Sequence, residues 1–269
     1  MFLTKKSLWK ILIMAICYIA LGSVFIALAM VFTYLQIEAT MLFVLGIVVY
    51  LLCPLIVLWG KYAEGEGKWI HLGNKLVRNE LKPAEFLRQY YALRNAPDLV
   101  INKPKMDILG LVIVAYDVLD DRENCLSAVE EMIAVAGEKK KAFAKLIKAS
   151  ILFSYGRNEE AEALFSEVQG TKLSFQCQAL ADAIWKGERA IAMGDDKTAE
   201  LHLLKSLSQT FPKPNNLLRV TIHFELGELY ERQQNREKAM EYYQYCVQHG
   251  GETAIKESAR LAWERCCNG

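Results

Sequence analysis

Few residues of this chain have the type and spacing that chemistry requires. The four histidines are His71, His202, His223 and His249, and none has a nucleophile or a second ligand at motif spacing. There is no G-x-S-x-G elbow, no phosphate-binding P-loop and no G-x-G-x-x-G turn. The seven cysteines are Cys17, Cys53, Cys125, Cys177, Cys246, Cys266 and Cys267. Their number is odd and, apart from the last adjacent pair, they are widely spaced. A disulfide framework needs paired cysteines in an oxidising compartment, and a zinc site needs clustered Cys and His. The pattern reads as reduced thiols. The acid pairs Asp120-Asp121 and Asp195-Asp196 read as turn formers and helix N-terminal charges rather than general acids. The expectation is a non-enzymatic protein with no cofactor and no metal.

The elements that carry these residues fall into two contrasting parts. Between Ile11 and Gly60 the only charged residue is Glu38, whereas residues 61–269 hold 29 basic and 30 acidic residues. Nucleic-acid binding relies on clustered Lys and Arg that displace counterions, so this near-neutral balance argues against it.

Ile11–Ile37 and Ala39–Gly60 are uncharged runs of 27 and 22 residues. A crossing of the hydrocarbon core needs about 20 apolar residues. The reading is a transmembrane hairpin in residues 1–60, with spans at about 9–35 and 40–59. A cleaved signal peptide is the competing reading of the first run, from its basic start and Ala27-Leu28-Ala29. Lys5, Lys6 and Lys10 precede the first run, Lys61, Lys68, Lys75 and Arg78 follow the second, and the connection between them has no Lys or Arg. The positive-inside rule then predicts a multi-pass membrane protein with both termini cytoplasmic. Residues 61–82 read as a juxtamembrane linker, an interfacial helix or a first helix covering the following domain.

Residues 83–269 read as all-α. Lys82-Pro83-Ala84-Glu85 starts a helix, with Pro in the first turn and a carboxylate favoured by the dipole. From Met106 the chain becomes a series of helix pairs. In the last pair, counted from Val220, Leu226, Gly227, Tyr230, Ala239, Tyr243 and Cys246 fall at positions 7, 8, 11, 20, 24 and 27. This resembles the tetratricopeptide (TPR) repeat, a unit of about 34 residues forming two antiparallel helices. Gly227 and Ala239 are small where the two helices approach, and His223 replaces the family's Trp at position 4. Units are expected near 109–137, 142–175, 180–213 and 220–253, with Ala128 at position 20 of the first, and a capping helix at 254–266. The resemblance implies a TPR-like α-solenoid behind the membrane hairpin.

It also implies a concave groove lined by positions 2, 5, 9 and 12 of each unit. These are Phe143, Leu146, Ser150 and Phe153, then Ala181, Ile184, Glu188 and Ile191, then Thr221, Phe224, Glu228 and Glu231. TPR co-chaperones that grip a C-terminal carboxylate use Lys and Asn at positions 5 and 9. Position 5 here is Leu146, Ile184 or Phe224, so that activity does not carry over. An apolar groove suits the apolar face of a partner's helix or peptide. The alternatives are a groove filled by the chain's own helix near Phe86–Leu93, or by a second copy in a homo-oligomer. Two functions follow. One is a membrane-anchored protein–protein interaction scaffold, with the lipid bilayer and a protein as partners. The other is an accessory subunit of a membrane transport, secretion or envelope-assembly complex.

Overall fold

The helices end where local chemistry stops them. In four hairpins among the described residues, the first helix closes on a residue in the left-handed region: Asp120 (φ 56°), Gly156 (φ 73°), Gly194 (φ 75°) and Gln234 (φ 60°). Each time the next amide donates back across the turn: Asp121 N to Tyr116 O at 3.0 Å, and Arg157, Asp195 and Asn235 to Leu152, Ala190 and Tyr230 at 2.9 Å. This is the Schellman arrangement, which satisfies carbonyls that the helix end leaves unpaired. Asp121, Asp195 and Asn235 then cap the second helix, accepting from the amides of Asn124, Thr198 and Lys238.

The computed structural model describes residues 2–4, scattered positions between 9 and 31, and residues 67–96, 99–102, 104–169, 175–208 and 215–268. The chain divides into two units, residues 1–69 with 91–104, and residues 70–90 with 105–269. In the first unit β1 (Phe2–Thr4) pairs antiparallel with β2 (Leu99–Asn102), with Leu3 opposite Ile101. Apart from this short pair, the described residues are helical or in turns.

The second unit begins with a π-helical segment, Asn74–Asn79, and then α1 (Pro83–Arg94), of which residues 83–90 belong to this unit. Four hairpins follow: α2 (Met106–Asp117) with α3 (Arg122–Val135), α4 (Glu138–Ser154) with α5 (Asn158–Gln169), α6 (Phe175–Lys186) and α7 (Glu188–Ala192) with α8 (Asp196–Ser208), and α9 (Asn216–Arg232) with α10 (Arg236–His249). Helix α11 (Ala254–Asn268) packs on the last hairpin. Leu146, Leu152, Phe153, Phe165, Ala181 and Ile184 form one buried cluster joining the second and third hairpins. Each of the Leu, Ile and Phe side chains withdraws apolar surface worth about 1.5–3 kcal/mol from water.

The series closes on itself. The π-helical segment touches both α2 and α9. Glu252 N donates to Leu81 O at 2.9 Å, Ala254 N to Val118 O at 2.8 Å, and Asn216 Nδ2 to Asn79 O at 2.7 Å. The closing turn demands a glycine. Gly251 has φ 58°, and a Cβ there would stand 2.4 Å from Leu81 Cβ.

One expectation is overturned. Among the described residues no helix is long and apolar enough to cross a membrane. The longest, Glu138–Ser154 and Asn216–Arg232, have 17 residues and carry charges, short of the roughly 20 apolar residues a crossing requires. The multi-pass placement with cytoplasmic termini is therefore withdrawn. Span 40–59 lies outside the described residues, and span 9–35 is described only at scattered positions. Within 61–82, Leu76, Val77 and Leu81 are buried in the second unit.

Candidate partner-binding face

The groove positions separate by depth. Leu146, Ala181, Ile184 and Phe153 are 0, 1, 1 and 4 % exposed, so they are core rather than groove. Phe143 is half-buried against the same cluster. The physical reason is that successive hairpins press these side chains on each other, with the Phe153 and Phe165 rings edge to face at 6.4 Å. Helix α1 does not fill that place: Phe86 lies with Leu111 of α2 against Gly73. Ser150, Glu188, Ile191, Thr221, Phe224 and Glu231 remain half-buried, and Glu228 is exposed.

What survives of the groove is acidic. Ser150 Oγ donates to Glu188 Oε1 at 3.0 Å, joining α4 to α7. Burial raises the carboxyl of Glu188 above its ordinary range, and the charge of Asp117 adds to this. Asp117, the last residue of α2, is raised by burial as well. Glu225 on α9 is pushed up to about 8, first by burial and then by Glu188, Glu228 and Asp117. Carboxyls from three different hairpins thus act electrostatically on one another. Glu231 is tied down, accepting from Tyr243 Oη at 2.7 Å with Arg265 at 3.3 Å.

Glu188 and Glu225 also line a cavity of about 770 Å³ between α6, α7, α8 and α9. Its walls include Ala183, Gly187, Leu203 and Ile222, with His202 on one side. Such a size and a largely apolar wall with a few convergent polar groups suit a ligand or peptide segment. Among the described residues, no three or more His, Cys, Asp or Glu side chains are placed to hold a metal ion.

Asp117 and Glu225 are absent from the groove positions drawn from the repeat pattern. Asp117 stands three residues before the left-handed Asp120, the place that Phe153, Ile191 and Glu231 take before theirs, so aligning the turns recovers it. No sequence signal marks Glu225, since Glu188 and Asp117, which act on it, come from other hairpins.

His223 serves packing. Its ring stacks on Tyr245 with centroids 3.7 Å apart, its Nδ1 meets Arg219 O at 2.7 Å, and burial lowers its pKa. Cys125 and Cys246 are buried free thiols pushed up to about 12 by burial, donating to Ile113 O and Val220 O. Such thiols are inert.

No protein-family model matches the chain, and no curated protein and no solved structure matches it either.

Proposed function

We propose that the chain is a non-catalytic protein–protein interaction scaffold, built as a TPR-like array that receives a partner segment on the inner face of its hairpins. The observation that carries this reading is the fourfold turn. Counted from it, position 8 is Ile113, Ala149, Gly187 and Gly227, and position 20 is Cys125, Ala161, Ala199 and Ala239. Position 24 is Val129, Phe165, Leu203 and Tyr243, all at most 3 % exposed. Packing repeated at equivalent positions is the signature of stacked helical units. The same count moves the first unit's start from Leu109 to Met106, because Cys125 rather than Ala128 takes position 20. The contact of Cys125 with Ile113, at position 8 of the partner helix, agrees with this.

Such an array leaves its inner face free for a ligand while its other surfaces hold the units together. The test is site-specific photo-crosslinking in cells that make the full chain, from Ile191 or Thr221 on the inner face and from Gln244 on the outside. A scaffold gives a discrete heterologous adduct from the inner positions and none from Gln244. No adduct, or one at twice the mass of the chain, overturns the reading.

A further inference from the structure

We infer that the array opens at one seam, where its fourth hairpin and α11 meet the first hairpin and the strap of residues 74–82, and that a bound partner favours the open form. The inference rests on the scaffold reading and names how access to the inner face is regulated.

The first ground is how the ring is closed. The second and third hairpins share a buried apolar cluster and follow each other in the chain. The first and fourth have no direct chain connection. Three separate hydrogen bonds tie these ends: Glu252 N to Leu81 O, Asn216 Nδ2 to Asn79 O, and Ala254 N to Val118 O. Bonds of this kind have little net worth, because water replaces each of them when the seam parts.

The second ground is strain on the strap side. Residues 74–79 are wound as a π-helix, a form that is rare and recurs at functional sites. Leu81 stands in the left-handed region at φ 55° although it is a bulky residue buried to 3 % exposure. Its carbonyl accepts from Glu252, and its side chain meets Gly251. The Oδ1 atom of Asn79 is buried with no hydrogen-bond partner among the described residues, which is costly. These costs are concentrated at the seam, so parting it takes less free energy than unfolding a hairpin.

The third ground is what the seam covers. Helix α9 carries Thr221, Phe224 and Glu231 of the inner face, all half-buried while the array is closed. Val118 belongs to the seam, and its neighbour Asp117 is near enough to act on Glu225 of α9. Parting the seam takes the end of α2 away from α9. A partner that contacts α9 therefore binds the open array better and shifts the population toward it.

The test is residue-level hydrogen exchange on the full-length protein. The amides of Glu252 and Ala254 are themselves seam donors. They exchange at least about tenfold faster than those of Leu226 and Leu229 within α9, which are released only by unfolding. Asn216→Ala removes the third seam bond and speeds both seam amides about fivefold. That bond stays intact when the turn at 250–254 frays alone, so fraying would leave them unmoved. Asp195→Ala removes a helix cap inside the third hairpin. It speeds exchange at Leu226 and Leu229 but not at Glu252 and Ala254, because seam opening leaves that cap in place. Seam amides no faster than Leu226 and Leu229, or unmoved by Asn216→Ala, overturn the inference. Photo-crosslinking from Thr221 reads the link to the partner, and Asn216→Ala raises the adduct yield up to the same fivefold. An unchanged yield overturns the inference alone. No adduct in either protein sinks the scaffold reading, and exchange then decides only whether the seam opens.

Discussion

The third and fourth hairpins are built from the same turn and the same small residues, yet one is solid and the other hollow. In the fourth, Gly227 lies under the ring of Tyr243, so close that a Cβ would stand 2.6 Å from Tyr243 Cε1. In the third, Gly187 occupies the matching place, but its counterpart of Tyr243 is Leu203. The nearest side-chain atom to a Cβ there is His202 Cδ2 at 3.5 Å, and Gly187 and Leu203 both line the cavity. The helix is also interrupted at Gly187, between α6 and α7. A ring filling the space between helices gives core; an aliphatic side chain in its place leaves room for a ligand.

The largest expected effect tests where the two hairpins differ in depth at position 5. Ile184→Glu, like Phe153→Glu on α4, buries an unpaired charge and should cost at least about 4 kcal/mol in urea unfolding. Phe224→Glu, at the half-buried matching place, should cost less than half of that. Equal small losses would restore an open apolar groove through the third hairpin.

Hollowing the fourth hairpin comes next. Tyr243→Leu leaves a cavity beside Gly227 and frees Glu231 from its hydroxyl partner, for a loss of about 3 kcal/mol. The reverse change, Leu203→Phe, fills the third hairpin. It should change stability by less than about 1.5 kcal/mol, read in the same urea unfolding.

Glu225→Gln has a smaller effect that depends on pH. With its folded value at about 8 against 4.5 ordinarily, Glu225 holds a proton in the folded chain that the unfolded chain releases between those values. Stability therefore falls as pH rises through that window and levels off above it. The Gln variant escapes the loss. It should gain nothing over the parent at pH 4 and a clear advantage at pH 8.5, read from melting at the two pH values. The smallest change is Gly227→Ala, which presses a methyl on a ring that cannot move, for about 1–2 kcal/mol.

Much of the helical architecture is legible locally. Gly156, Gly194 and the pair Asp120-Asp121 mark turns because left-handed backbone and N-capping select those residue types. Register is harder to read. Cys125 holds the small position of the first hairpin, and a search for Gly or Ala settles instead on Ala128, one turn further on. Cysteine packs as a small apolar residue, which its chemistry disguises in a sequence.

The sequence by itself determined the helices, their turns and the small residues between them, since each depends on contacts within one hairpin. Only the tertiary structure decided which face stayed open. Closure of the array joins Leu81 to Glu252 and Val118 to Ala254, and it brings together carboxyls at 117, 188 and 225. Burial and mutual repulsion among side chains so far apart in the chain arise only when the chain has closed.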